Sequence, residues 1–425
     1  MYVEGEDKNA DGDQIDSNKK EHRSTGCFHF DERLYGIIRT EVLRYIMQQK
    51  KDIETTANNT RIRGYKYRAY PDRKQKEFFD KTFGCCRFVY NYYLDAKQKL
   101  WSEWHDALKY NDMCRDLSGV LKKENKWLKE ADSIALQQSL RHLDSAYKNF
   151  FAGRGSYPRF KRKHSHQSYR TMNVNSNISM DGDVIVLPKA GRVKIVNTRE
   201  IKGRIISATV SKTPGGRYYI SLQVEEEYEI LPNDGGMIGL DAGLKALYTG
   251  SDSAVITNPK TLYRHEKRIR RLQRSLSRKQ KGSKNREKAR IRLAREHEKV
   301  ADIRNDLQHK ITYKLANENQ VVCVEDLNVK GMMKNHHLAR SISDASWSEF
   351  CRKLEYKLED RGGILIRVPG TYASSQICSC CGKKNPRVKD LSVRKWICPE
   401  CGAKHDRDVN AAVNILEKGL EILAS

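Results

Sequence analysis

The residues best suited to chemistry are four cysteines and a small set of acids in the second half of the chain. Cys378 and Cys381 stand two residues apart, as do Cys398 and Cys401, with 16 residues between the pairs and Gly382 and Gly402 directly after the second thiol of each. Four thiolates at these spacings suit one tetrahedral structural zinc ion, and glycine lets the chain turn sharply at each knuckle. Disulfides and an iron–sulfur cluster are the rival readings. Cys380 replaces Cys378 only at poorer spacing. The acids are Asp241, which ends the apolar run MIGLD, Glu325, which ends VVCVE, and the aspartates of HDRDVNAAVNIL, which precede a helical pattern carried by Val409, Val413 and Leu416. A carboxylate at the end of a buried strand is costly to desolvate unless it is paired or holds a metal. Taken singly, each fits a capped turn or a lysine pair as well as it fits catalysis. Three in one α/β region beside a basic flank point to hard cations: two Mg²⁺, or Mn²⁺ in their place, about 4 Å apart, activating a water and stabilising the leaving oxygen of a phosphodiester.

These side chains need elements to hold them. From residue 235 onward short apolar strands alternate with helical patterns, and ligands of α/β sheets bind at the carboxyl ends of strands. Between the first two acids lies the most charged segment: residues 260–299 carry 17 Lys and Arg against four Glu, a surplus of 13, half of the whole-chain +26. An apolar stripe at Val300, Ile303, Leu307, Ile311 and Leu315 makes its continuation a packed amphipathic helix. Upstream, RIRGYKYRAY reads as a strand stopped by Pro71, with Asp72 placed to cap the next helix. Residues 73–151 are helical in pattern, and VIVLP, RVKIV, IISATV and RYYISLQV alternate as strands, with Pro214, Gly215 and Gly216 as hairpin turn. Residues 1–28 read as disordered, and Leu34, Ile37, Ile38, Val42 and Ile46 recur at helical spacing.

At 425 residues the chain predicts two to four domains. The excess of basic residues and a pI near 9.5 point to a polyanionic partner, nucleic acid first. No apolar run approaches 18 residues, and the polar, acid-rich start does not read as a signal or transit peptide, so the expectation is a cytoplasmic protein with no membrane and no secretion.

From about Tyr65 to Leu416 the sequence resembles TnpB, the RNA-guided nuclease of small bacterial and archaeal insertion sequences, related to the compact type V CRISPR effectors. The likeness runs through KYRAYPDRKQKEFFDKTFGCCRFVYNYYL, ALQQSLRHLDSAYKNFF, YPRFKRK, IGLDAGLKALYTGSD, VEDLNVKGMMKNHHLARSISDASWSEF, SSQICSCCG and HDRDVNAAVNIL. It implies a multidomain α/β protein: an RuvC-like (RNase H-type) nuclease at 233–373 and 405–425 with a zinc ribbon inserted at 374–404, a wedge-type β-barrel at 60–72 and 172–232, and a helical recognition lobe inserted at 73–171. Residues 1–59 form an extension without a counterpart in the family's usual start. The family's acids fall on Asp241, Glu325 and Asp408, the match selecting Asp408 over Asp406 because x-Asn-Ala-Ala follows it. These three are the implied catalytic and Mg²⁺-binding residues, and Cys378, Cys381, Cys398 and Cys401 hold one Zn²⁺. Tyr110 and Gln137 match positions that read a target-adjacent DNA motif in family members. Arg159, Lys161, Arg162, Lys163 and Arg170, interleaved with Tyr157, Phe160 and Tyr169, read as a phosphate-and-stacking strip, and Arg268, Arg271, Arg274 and Arg278 as a lining for the guide heteroduplex. The implied partners are a guide RNA and double-stranded target DNA, base pairing reading sequence and protein reading motif and shape. The implied activity is RNA-guided, metal-dependent DNA cleavage. The alternative is a guided or plain DNA-binding regulator with little or no cleavage; some relatives that have lost their acids act as guided repressors, and this chain keeps all three.

Overall fold

The computed structural model describes residues 60–163 and 166–424, together with Thr40 and Arg44; the expected disordered start and most of the N-terminal helix lie outside the described residues. Strand β1 (Thr60–Ala69) ends just before Pro71, which has no N–H to give a sheet. Asp72 then opens helix α1 (Arg73–Trp104) with a reciprocal capping box to Gln75. Helices α2 (Tyr110–Asp116) and α3 (Ser133–Phe151) follow, then strands β2 (Gln167–Met172), β3 (Ser179–Asp181), β4 (Val184–Leu187), β5 (Gly191–Val196), β6 (Arg204–Lys212) and β7 (Tyr218–Glu227). With β1 these form one antiparallel sheet in the order β2-β6-β7-β1-β5-β4-β3, so β1, which precedes the helices in the chain, lies mid-sheet between β7 and β5. The sheet already includes residues 167–172, five residues earlier than the alternation in the sequence suggests, because Tyr169 and Thr171 bury their side chains against α1 and α3. Phe79 and Phe83 of α1 lie on Tyr169 and Tyr218, ring centroids about 6 Å apart. Helical lobe and sheet therefore share one hydrophobic core.

The second half builds a five-stranded sheet in the order β10-β9-β8-β11-β12, from β8 (Gly236–Ala242), β9 (Ala246–Gly250), β10 (Val255–Thr257), β11 (Asn319–Asp326) and β12 (Ile364–Pro369). Strands β8, β11 and β12 are parallel, β9 turns back antiparallel to β8, and β10 pairs antiparallel with β9. Helices α4 (Thr261–Ser277) and α5 (Lys284–Glu318) fill the β10-to-β11 connection, and α6 (Ala339–Ala345) and α7 (Trp347–Glu359) the next. The uninterrupted apolar run of β11 is explained by its two covered faces: Val322 and Val324 join the core under α5 and α7, while Val321 and Cys323 face the last helix, α8 (Arg407–Ala424).

Helix α8 sits very close to this sheet. A Cβ on Gly239 would run into the Ala412 carbonyl oxygen, and one on Gly419 into the Cys323 thiol. Gly239→Ala is expected to push α8 off the sheet, costing about 1–3 kcal/mol, with a lower Tm by calorimetry as the check; an unchanged Tm would refute the close approach. Two polar clasps join the halves. Arg61 and Arg63 reach Asp360 at the end of α7, and Arg63 Nε also meets Glu226 Oε1 at 2.7 Å. The β6–β7 hairpin tip docks on α5, where Gly215 N–H donates to Glu298 (2.6 Å) and Arg217 pairs with Asp302 (2.8 Å).

Candidate active site and thiol cluster

Alternation along β8 places Asp241 on the same face as Met237 and Gly239, the face covered by α8. In β11, Glu325 shares its face with Val321 and Cys323, again the α8 side. Because Leu240 pairs with Val324 in parallel register, the two carboxylates stand at the same level on neighbouring strands, at their carboxyl ends. The first turn of α8 brings Asp408 close enough to act on Asp241 through its charge. Burial first, then the Glu325 and Asp408 carboxylates, push the Asp241 carboxyl up to about 8, only partly offset by Arg407 and Arg394. Glu325 is also raised by burial, against a hydrogen bond donated by Ser374 (3.4 Å). Like charges are thus gathered where burial penalises Asp241 and Glu325, the arrangement a divalent cation relieves.

The two aspartates of DRD have different tasks. The Asp406 carboxylate accepts from the Asp408 and Val409 backbone N–H groups (3.1 and 3.2 Å) and so caps α8. That leaves the Asp408 side chain for the site, where Arg394 Nη1 lies 3.3 Å and 3.4 Å from its oxygens.

Arg394 comes from a small ribbon between β12 and α8. Cys378 Sγ lies 3.6 Å from Cys401 Sγ, and Cys381 Sγ 3.7 Å from Cys398 Sγ; all four sulfurs lie within 4.8 Å of one another. Sulfurs about 2.3 Å from a common ion at tetrahedral angles are separated by about 3.8 Å, so the set fits one zinc. The two knuckles repeat one backbone pattern. Cys378 N–H bonds Lys383 O and Gly382 N–H bonds Cys378 O, as Cys398 bonds Ala403 and Gly402 bonds Cys398. Gly382 and Gly402 adopt φ of 72° and 70°, a conformation other residues rarely take. Cys380 is exposed and outside the four-thiol set, although it falls in a second grouping with Cys378 and His405.

The ribbon is tied to α8 at several points. Strand β13 (Lys395–Ile397) pairs with β14 (Lys404–Asp406), which runs straight into the helix. Asn410 Nδ2 donates to Ile377 O, Ser379 N–H donates back to Asn410 Oδ1, and Asn414 Nδ2 donates to Ser374 O and Ile377 O. Sequence reasoning missed Arg394, Arg407, Ser374, Asn410 and Asn414. Only the asparagines carried a signal: they are four apart on an otherwise apolar face, where a buried amide needs partners.

The expected nucleic-acid contacts separate into groups. Lys267, Arg270, Arg271, Arg274, Arg278 and Lys279 line one groove of about 740 Å³ along α4. Arg268 points elsewhere, its Nε 2.8 Å from the buried Glu296 carboxylate. Arg170 is also committed to protein, donating to Ser207 and Gln223 across the sheet. Arg159, Lys161, Arg162 and Lys163 line the exposed stretch before β2. Tyr110 accepts from Arg141 at 3.2 Å, and Gln137 is exposed on α3.

Family models match residues 59–105 (helix-turn-helix domain), 219–336 (probable transposase) and 347–415 (Cas12f1-like, TNB domain). A Streptomyces pristinaespiralis protein whose name reads "Putative RNA-guided DNA endonuclease" is 39% identical over 361 residues, covering 84% of this chain and 89% of its own. The chain belongs to the TnpB family. InsQ of Escherichia coli K12, which carries the same description, is 35% identical over 381 residues, covering 86% of this chain and 94% of that one. A cryo-EM structure of the Cas12f1–sgRNA–target DNA complex is similar at a TM-score of 0.46 and 14% identity, covering 84% of this TnpB-family chain and 99% of that chain. Among the described residues no helix is long and apolar enough to cross a membrane.

Proposed function

We propose that this TnpB-family chain is an RNA-guided DNA endonuclease that reads a short motif beside its target, opens the duplex against its guide and hydrolyses phosphodiesters at an RuvC-type site. The convergence of Asp241, Glu325 and Asp408 on the α8 face at the strand ends carries the reading. The order and directions of the five-stranded sheet suit an RNase H-type fold. The three carboxylates are the residues that would hold Mg²⁺. Two such ions supply, when bound, an activated water and stabilisation of the leaving 3′ oxygen. Arg394, whose Nη1 lies 3.3 Å from an Asp408 oxygen, would hold that carboxylate before metal and DNA arrive, and its guanidinium suits a scissile phosphate. The wedge-like sheet and helical lobe supply the motif-reading surface, and the α4 groove the track for the heteroduplex.

The four thiolates would hold one Zn²⁺ whose role is structural. His405 Nε2, 3.1 Å from Cys378 Sγ and with its ring tilted against Trp396 at 4.7 Å between centroids, is placed to steady that thiolate. His405→Ala is expected to speed zinc release to a chelator about tenfold, read from the absorbance of a metal-binding dye; an unchanged release rate would remove His405 from this role.

The reading is tested by purifying the chain with its native flanking locus and sequencing the RNA that accompanies it. A discrete structured RNA that, with Mg²⁺, directs cutting within a plasmid library of randomised flanks is the expected result. A random RNA population and intact plasmids would overturn the proposal.

A further inference from the structure

One concave site lies far from the carboxylates, where α1, α3 and the approach to β2 meet. Its lining includes Arg87 from α1, Ser139 and His142 from α3, Lys161 from the approach, and Ser168 from β2. No carboxylate lines it. Asp132, at the start of α3, is already engaged by Thr171 Oγ1 and the Ile134 N–H. Among the described residues, Arg87, His142 and Lys161 donate no hydrogen bond from their side chains to a protein acceptor, whereas most other arginines of this half are paired.

Lys161 is held with unusual care for a residue in a loop. The Asn91 side chain clamps its backbone from both sides, donating to its carbonyl (2.9 Å) and accepting from its N–H (2.8 Å). Its ammonium sits 3.9 Å above the Tyr90 ring, where the charge is partly stabilised while its N–H donors stay uncommitted. Burial, followed by Lys161 and Arg170, lowers the His142 imidazole, so His142 adds one neutral N–H donor beside two cations. The cavity measures about 50 Å³, room for a few waters or for one tetrahedral oxyanion. Tyr157 and Phe160, 43% and 50% exposed, stand on the same approach and offer ring faces to adjacent bases.

We infer that this pocket binds a single backbone phosphate of a nucleic-acid strand, held by Lys161, Arg87 and His142, with the flanking bases laid against Tyr157 and Phe160. The inference rests on the nucleic-acid reading above and narrows it: of the basic strip seen in the sequence, Lys161 enters a built site together with two residues from other elements, while Arg170 serves the sheet. The phosphate belongs either to guide RNA or to target DNA, which present the same chemistry.

Lys161→Gln, Arg87→Gln and the double variant test it by salt titration in two arms: guide RNA binding to the free protein, and target-duplex binding to the assembled complex. Each single change is expected to weaken binding in one arm about tenfold at physiological salt, and to lower the slope of log affinity against log salt by about 1. Loss in the RNA arm assigns the phosphate to the guide, and loss in the DNA arm to the target. Arg87→Gln stands on a regular helix and carries the test if the Lys161 variant fails to fold. Unchanged affinity and slope in both arms, with the wild type binding normally, would overturn the pocket alone. A wild type that binds no structured RNA would instead overturn the reading on which it rests.

Discussion

Asp241→Asn is expected to abolish DNA cleavage while guided binding survives. The amide keeps the shape of the carboxylate and removes the charge that two cations would share, so the loss is about 4 kcal/mol of transition-state stabilisation or more, a thousandfold or greater in rate. Plasmid cleavage and gel-shift of the assembled complex measure the two quantities separately. Retained cleavage would dismiss Asp241 from the site, whereas wild-type chain that binds its target but never cuts would favour the regulator reading. A second readout is independent of activity. Asp241 has its folded-state carboxyl raised from 3.8 to about 8, so the folded chain holds its proton more tightly than the unfolded one. Stability from this group is therefore full at low pH and lost as pH rises between about 4 and 8. In magnesium-free buffer Asp241→Asn should melt above the wild type at pH 8, with the gap closing toward pH 4. Added Mg²⁺ should raise the wild-type Tm at pH 8 and leave the variant unmoved, since a ligand stabilises only the state that binds it. The reverse ordering at pH 8 would mean that the carboxylates are not crowded.

Replacing Cys398 and Cys401 together by Ser is expected to remove about one zinc per chain and, with it, cleavage. The ribbon's own core is four buried side chains, Cys378, Val388, Trp396 and Cys398, two of them thiols of the four-cysteine cluster. So small a core does not hold itself together, and apparent zinc binding of about 10–16 kcal/mol in comparable small domains is folding free energy outright. The consequence reaches the acids because β14 runs into α8 and Arg394 sits on the ribbon beside Asp408. Loss of the ribbon leaves α8 anchored to the sheet at Gly239 and Gly419 but frees its first turn. Cleavage should therefore fall at least about a hundredfold while the main thermal transition persists. Cys380→Ser should keep both zinc and activity. Metal analysis by mass spectrometry decides the first point, and zinc absent from the intact protein would refute the ribbon.

Some of this was legible before any fold was known. The thiol pairs are local: two residues between ligands and a glycine after each pair constrain the knuckle wherever the ribbon sits. Strands ending in acids were equally visible, as were the strand, Pro71 and Asp72 that open α1. The expected wedge barrel is observed as an antiparallel sheet with β2 and β3 at its edges, sharing its core with the helical lobe. Strand alternation cannot reveal that sharing, because the faces of α1 and β2 read the same whether they meet each other or a third element.

The sequence by itself determined the chemistry available: four thiolates at zinc spacing, carboxylates closing buried strands, and a basic surplus that demands a polyanion. Tertiary structure decided which partners they meet. The family match had already selected Asp408 over Asp406, and the structure adds that Asp406 is taken up capping α8; Arg170 and Arg268 are drawn into sheet contacts and an ion pair, and Lys161 is left uncommitted beside Arg87 and His142. Residue type and spacing set what a side chain can do within one element. Which partner it meets depends on strand register and helix approach, and those follow from burial summed over residues far apart in the chain.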